Sequence, residues 1–320
     1  MVDRPHAEAT AFHAAPLIRE IGRGAHGSRA LTREQSAALM GAILDGAVSD
    51  LELGGVLIAL RMKGETAAEI AGFLDALEPH TLRIASGIPV VVLPTYNGAR
   101  KLPNLVPLLA CLLARRGVPV LLHGQSSEPV GVGKSHARVS TLSVLAALGI
   151  PPCTDAADAA ARWAQREPAY LPLADVAPGL ARLIGLRRVL GVRNVSHTLA
   201  KLLRPVAGPS VLLASYTHPA FGAMLAELFA QTAATALLLR ATAGEAVVHA
   251  ARPQAMEIWR AGARGAAALQ ATPQTELVLP ANTIRDAAEW TRDVLDGMEP
   301  PPVGIAAQVE TVVAEWERLR

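Results

Sequence analysis

Aromatic residues are scarce in this chain: four Phe, four Trp and three Tyr make up 3% of its 320 positions. Too few are clustered to form a platform on which successive bases could stack. Cysteine is rarer still. Cys111 lies inside an apolar stretch and Cys153 follows Pro151-Pro152, which gives neither metal-ligand spacing nor a disulfide framework. Long apolar runs are missing as well. Leu105–Ala114 contains a proline and is ten residues long, about half of the ~20 needed to cross a bilayer. The opening residues MVDRPHAEAT place no apolar core behind their charges, so no secretory signal is expected. These absences lead to the expectation of a cytoplasmic protein with no membrane partner. The composition, 51% apolar and 18% charged, is that of a globular chain and not a disordered one.

Net charge is also small, +2, but it is unevenly spread. Between Gly98 and Arg204 stand fourteen Lys or Arg against five Asp or Glu, a surplus of nine, which leaves −7 for the remainder. Such asymmetry points to a polyanionic partner. The plainer reading is a set of solvated helix faces that happen to be basic.

The segment from Pro89 to Gly124 organises the rest. It reads as a strand (Val90–Leu93), an irregular loop (Pro94–Pro103), a helix (Asn104–Arg116) and a second strand (Val118–Leu122). A unit of this length predicts a right-handed βαβ crossover with parallel strands. Ligands of open α/β sheets sit outside the carboxyl ends of such strands. The Thr95–Lys101 loop and the His123-Gly124 pair therefore meet at the expected mouth.

Ahead of this unit the chain reads as helical. Thr32, Ser49 and Thr66 are each followed three residues later by Gln35, Glu52 and Glu69, the spacing of a reciprocal capping box. Leu39, Ile43 and Leu44, then Leu53, Val56, Leu57 and Leu60, mark buried stripes. The predicted domains are a helical one over 1–86 and an α/β one over 87–320. Surplus apolar helix surface would serve either a dimer contact or the domain's own core. Beyond the central unit, helices are expected near 140–148, 155–163, 180–190, after Pro219, and over 284–295 and 305–319. Strands are expected at 211–214, 236–239 and 277–279. Strands alternating with helices predict an α/β sandwich around a mostly parallel sheet.

Gly131-Val132-Gly133-Lys134-Ser135 invites a phosphate-loop reading, but the pattern requires a glycine where Glu128 stands. Lys134, Ser135 and Arg138 are kept as candidate anion contacts. His123 and His136 lack metal-ligand spacing, and no nucleophile elbow is present. Tyr96 sits in the expected mouth, to stack a base or to pack the loop.

The stretch from Leu31 to Phe73 resembles the N-terminal helical domain of the anthranilate phosphoribosyltransferases (glycosyl transferase family 3). Their Lys-Gly-Glu-Thr, then an acid, then Ala-Gly, matches Lys63–Thr66, Glu69 and Ala71-Gly72. The resemblance continues through Gly117-Val118, His123-Gly124, Val144-Leu145, Ala147–Gly149 and Leu190–Arg193, and weakens after Arg240. It implies a helical domain, joined by helices from about 170–196, hinged to an α/β domain with a mostly parallel central sheet, as in the class II nucleoside phosphorylases. It further implies a homodimer through the helical part, and phosphoribosyl pyrophosphate bound with magnesium in the hinge cleft.

At the donor site the chain departs from that family. The family's Gly-Thr-Gly-Gly-Asp-Gly loop falls on Pro94, Thr95, Tyr96, Asn97, Gly98 and Ala99. Proline offers no amide and tyrosine fills space. Asn104 is kept but two hydroxyl positions following it become Val106 and Pro107, and of the magnesium-holding Asp-Glu pair at most Glu245 remains. A second acceptor-site histidine falls on Ala177, while the acceptor-site arginine matches Arg187. A single acid is a poor magnesium site. The degraded donor site is thus Thr95, Tyr96, Asn97, Gly98, Asn104, His123 and Gly124, with no catalytic residue, metal or cofactor assigned. The chain looks like the divergent YbiB-like branch, which implies sequence-independent nucleic-acid binding, to DNA or RNA. Arg100, Lys101, Lys134, Arg138, Arg187, Arg188, Arg193, Lys201 and Arg204 would contact backbone phosphates in a basic interdomain cleft. The alternative is an active phosphoribosyltransferase using magnesium and phosphoribosyl pyrophosphate, acting on an aromatic or nucleobase-like acceptor. A third reading is a regulator that binds another protein through the helical domain.

Overall fold

All three capping boxes form. The hydroxyls of Thr32, Ser49 and Thr66 accept from the amides of Gln35, Glu52 and Glu69, whose side chains reach back to the cap amides. They open helices Arg33–Leu44, Asp50–Lys63 and Ala67–Leu77. The first and third pack closely because Gly72 has no side chain: a Cβ there would lie 2.1 Å from the Arg33 carbonyl oxygen. The Lys63–Thr66 motif has a structural task. Buried Glu69 accepts from the Leu31 amide (2.9 Å), the Thr66 amide (2.9 Å), the Thr66 hydroxyl (3.0 Å) and Lys63 Nζ (2.7 Å). Oε1 thus takes one donor and Oε2 three, one of them a cation, the kind of pairing under which burying a charge is tolerated.

The computed structural model describes residues 12–24, 26–96, 98–125, 138–242, 244–267, 273–274 and 276–320. The chain divides into two compact units, Met1–His80 with Arg182–Leu199, and Thr81–Ala181 with Ala200–Arg320. The first is helical. Ile84–Ala85 (β1) belongs to the second because it pairs in parallel with Val206–Ala207 (β5).

The second unit holds a seven-stranded sheet. Its strands are β2 (Val90–Thr95), β3 (Val120–Gly124), β4 (Ala169–Pro172), β6 (Ser210–Tyr216), β7 (Ala236–Arg240), β8 (Glu257–Arg260) and β9 (Ala263–Arg264). They run in the order β4-β3-β2-β6-β7-β8-β9. The first five are parallel, as expected, and β8 and β9 are antiparallel. One face of the sheet, Val91, Leu93, Val120, Leu122, Val211, Leu213, Leu237 and Leu239, packs with Leu108, Leu109, Val309 and Val312 of the covering helices. The alternate residues Val90, Val92, Leu121, Leu212 and Leu238 are buried too. Both faces are therefore covered, which explains the unbroken apolar runs in the sequence.

Several expectations need correction. Leu277–Leu279 is not a strand; Leu277 and Leu279 pack against the core without pairing their backbone. The sheet is extended instead by the β8–β9 hairpin, whose two turn residues, Ala261 (φ 46°) and Gly262 (φ 82°), both take positive φ. That is the primed geometry which matches strand twist. β4 was also not anticipated. The helix expected over 180–190 is two, Pro178–Gly185 and Arg187–Leu190. The central helix starts at Val106, since Asn104 Oδ1 accepts from the Val106 amide (3.2 Å) and holds the preceding residues in a turn. Among the described residues, no helix is long and apolar enough to cross a membrane.

Candidate functional site

β2 lies between β3 on one side and β6 on the other. The connection leaving β2 leads to β3, and the one leaving β6 leads to β7 on the opposite flank. The carboxyl ends of β2 and β6 are thus the sheet's switch point. The loop that follows β2 and the end of β3 form the wall of this mouth. Close packing there depends on Gly124, where a Cβ would fall 1.9 Å from the Thr95 carbonyl oxygen and 2.9 Å from the Tyr170 hydroxyl.

Polar contacts pin the loop at both ends. Thr95 Oγ1 meets Thr141 Oγ1 at 2.5 Å, and Asn104 Nδ2 donates to Thr141 Oγ1 (3.1 Å) and to the Val139 carbonyl (3.0 Å). Ala99 and Val139 exchange two backbone hydrogen bonds, each 2.9 Å. Arg138 Nη1 donates to the Gly98 carbonyl (3.1 Å), and Asn282 Nδ2 to that of Ala99 (3.4 Å). Gly98, at φ +60°, donates its amide to Glu245 Oε1 at 2.5 Å.

The mouth is filled from within. His123 is fully buried; its Nε2 lies 3.0 Å from the Leu203 carbonyl, and its Nδ1 lies 2.6 Å from the Tyr96 hydroxyl. A carbonyl only accepts, so Nε2 carries the proton and the bare Nδ1 accepts from the phenol. The two rings stand edge to face, 5.6 Å apart. Burial drives the His123 pKa down to about 4, with the Leu203 bond opposing it weakly. The Tyr96 phenol is pushed well above its ordinary value, first by burial and then by the charges of Tyr170 and Glu245. At neutral pH this is a neutral imidazole held by a neutral phenol.

These contacts decide whether a magnesium–diphosphate donor fits. Of the loop amides that would close on a diphosphate, Pro94 has none, that of Gly98 is given to Glu245, and that of Ala99 is given to Val139. Among the described residues, no three His, Cys, Asp or Glu side chains group as a metal-ligand set. Among the described residues, the loop as it stands does not offer the amides of Gly98 and Ala99 to a diphosphate.

The remaining expected contacts are spread over both units. Arg100 and Lys101 are exposed on the rim of the loop, Arg204 is exposed and Lys201 partly buried. Lys201 Nζ donates to the Gly244 carbonyl (3.5 Å). In the helical unit, Arg187, Arg188 and Arg193 lie in the segment around Gly191, with Arg188 exposed. Lys134 and Asn97 lie outside the described residues. Sequence reasoning noted Glu245 only as a leftover acid and missed Thr141, Val139 and Leu203. Their partners lie 35 to 147 residues away, and no local spacing marks them.

A family model described as "Glycosyl transferase family, helical bundle domain" matches residues 15–80. The chain is 40% identical over 298 residues to YbiB of Escherichia coli K12, an uncharacterized protein, covering 92% of this chain and 91% of that one. It is 32% identical over 198 residues to the anthranilate phosphoribosyltransferase of Halobacterium salinarum (strain ATCC 29341). That match takes in 61% of this chain and spans little more than half, 56%, of the relative's length. Among solved structures, the anthranilate phosphoribosyltransferase of Thermus thermophilus is similar at a TM-score of 0.68 and 22% identity, over 94% of each chain. The Saccharomyces cerevisiae enzyme in complex with PRPP and Mg has a TM-score of 0.69 and 15% identity, over 96% and 89%. Likeness at these identities concerns the fold.

Proposed function

Because the chain belongs to the glycosyl transferase family of the anthranilate phosphoribosyltransferases, in its YbiB-like branch, we propose that it uses that scaffold to bind nucleic acid through backbone phosphates, without transferring phosphoribosyl groups. One observation carries the reading. The loop after β2 is sealed on its inner side by Tyr96 on His123, while Arg100 and Lys101 on its rim are exposed. Such a loop commits the amides of Gly98 and Ala99 to the protein itself but presents cations to an extended anion. Arg138, Lys201 and Arg204 of the same unit, and Arg187, Arg188 and Arg193 of the helical unit, are the further phosphate contacts. Recognition by cations alone is independent of sequence and steeply salt-dependent. If six phosphates are neutralised, the log–log salt slope on duplex is about −5, from roughly −0.9 per contact.

The test is a gel-shift series with labelled oligonucleotides in rising salt, beside calorimetry with phosphoribosyl pyrophosphate and magnesium. Expected are shifts that fade with salt, no preference among sequences, and no magnesium-dependent heat. Arg100→Glu with Lys101→Glu weakens binding; an unchanged affinity moves the contact surface elsewhere. Absence of any shift at low salt removes the reading.

The comparisons favour the second reading, an active phosphoribosyltransferase, since every relative reported above with an activity in its name is an anthranilate phosphoribosyltransferase. Arg187 would then hold an acceptor carboxylate. Tight magnesium-dependent heat with the donor would establish this reading over the first. Under either, we take the protein as a homodimer through the helical unit, where Leu51 (88%) and Met62 (81%) are exposed on helix Asp50–Lys63. Light scattering giving a monomer would contradict it.

A further inference from the structure

β6 ends at Tyr216 and β7 at Arg240, and the parallel register sets these two residues side by side. Paired residues of neighbouring strands, about 4.8 Å apart, project from the same face of a sheet. A phenol ring and a guanidinium therefore leave the carboxyl edge of the sheet together. The ring is held in place. A Cβ on Gly222, in the helix Pro219–Gln231 that follows β6, would lie 3.1 Å from Tyr216 Cε2, 3.1 Å from Cζ and 3.2 Å from Cδ2. Three adjacent ring carbons at nearly equal distance put that point over the ring's face; an approach to its edge would bring the middle carbon well inside the other two. One face of the ring thus rests on the helix where glycine leaves room, and the residue stays partly exposed. Its backbone is fixed as well, since the Tyr216 carbonyl accepts from the Ala241 amide at 2.7 Å. Arg240 is exposed and, among the described residues, has no ion pair, in contrast to Arg116, Arg162 and Arg260. Thr217 and His218, exposed as well, border the pair, and the His218 side chain does not cap the helix.

An aromatic face beside an unpaired cation suits one chemistry: a nucleobase outside a duplex, with its phosphate. The base stacks by its π-face whatever its identity, and the phosphate meets the guanidinium. Aromatic residues are too few for a run of bases, but one ring serves one base. We infer that Tyr216 and Arg240 form a seat for a single unpaired nucleotide of a nucleic-acid strand, a contact that a paired base cannot make. The inference rests on the nucleic-acid reading above and adds strandedness to it, through residues that reading does not use.

The test is fluorescence anisotropy at low salt with the full-length protein, on a labelled oligothymidylate and on the same strand paired with oligoadenylate. Tyr216→Ala should bind the single strand roughly five- to a hundredfold more weakly than the parent, the span of one base–aromatic stack, and the duplex equally well. Tyr216→Phe keeps the ring and should match the parent on both. Arg240→Gln should weaken single-strand binding and lower its salt slope by about one contact. Ultraviolet cross-linking of the parent to a strand carrying 5-iodouracil, read by mass spectrometry, should place an adduct on Tyr216 and depends on no variant. Equal single-strand affinity in parent and Tyr216→Ala overturns the inference, as do adducts confined to other residues. Free adenosine monophosphate binding as tightly as the strand would overturn the strand as the occupant. Duplex binding by the parent, with no dependence on Tyr216 for the single strand, removes this inference alone; no binding of either substrate removes the nucleic-acid reading with it.

Discussion

Acidification should destabilise this protein through one imidazole. His123 has a carbonyl on Nε2 and a phenol on Nδ1, and a second ring proton would force that phenol to stop donating. Burial pushes its pKa down from 6.5 to about 4. The folded value is depressed, so between pH 6.5 and about 4 the unfolded chain takes up a proton that the folded chain refuses. The stabilisation is complete above pH 6.5 and is lost as pH falls toward 4. At 1.36 kcal/mol per unit, the loss amounts to about 3 kcal/mol. Urea unfolding followed by tryptophan fluorescence, at steps from about pH 7.5 down to about pH 4, measures it. In His123→Gln the parent's excess pH dependence should vanish, whatever the variant's absolute stability. Nitrogen-15 NMR of the imidazole should show the Nε2–H tautomer throughout that range. A His123 resonance titrating near 6.5, or parallel pH profiles for parent and variant, would refute the reasoning.

Three further outcomes follow from packing and hydrogen bonding. Gly124→Ala places a methyl 1.9 Å from the Thr95 carbonyl and cannot be accommodated without parting β2 from β3; a loss of roughly 1–3 kcal/mol or more is expected in denaturant unfolding, and a neutral substitution would contradict the close approach. Tyr96→Phe leaves His123 Nδ1 buried without a donor, which should cost about 1–3 kcal/mol, read from the same unfolding curves. His80 faces acceptors on both nitrogens, the Ala76 carbonyl and Asp45 Oδ1, each at 2.9 Å, which favours its doubly protonated ring and raises its pKa, chiefly through Asp45. Its contribution to the helical unit is therefore present below 6.5 and fades as pH rises through the raised value; an NMR titration placing His80 at or below 6.5 would contradict this.

The helical unit and the parallel half of the sheet were legible because their causes are local. Capping boxes act over three residues, and aliphatic runs such as Val90–Leu93 carry their own strand signal. The β8–β9 hairpin was not legible because its turn uses Ala261 before Gly262, and alanine at positive φ leaves no trace in composition. Leu277–Leu279 misled for the converse reason: apolar residues alternate wherever a segment lies on a core, paired or not. At the mouth, the loss of glycines after β2 was readable. What replaced them was not, since Glu245, Leu203 and Val139 reach the loop only through the fold.

The sealed loop also sets a scale for what a small ligand must overcome. Entry of a diphosphate would separate the Gly98 amide from Glu245, a charge-assisted bond worth about 1.5–3 kcal/mol, and Tyr96 from His123, worth about 0.5–1.5 kcal/mol. Together that is about 2–4.5 kcal/mol, or a factor of roughly thirty to two thousand in affinity, before any repulsion from Glu245. A site that would hold its donor at micromolar levels when open would need from tens of micromolar to millimolar here. An extended polyanion of the kind proposed would meet no such barrier, since its phosphates would reach the exposed Arg100 and Lys101 without disturbing the interior. Each cation so engaged releases counterions instead of breaking a buried bond. Under the proposed reading, the same loop would weaken capture of a small donor and leave binding of a long polyanion unimpeded, so substitutions at Tyr96 and Glu245 should change only the first equilibrium and substitutions at Arg100 and Lys101 only the second.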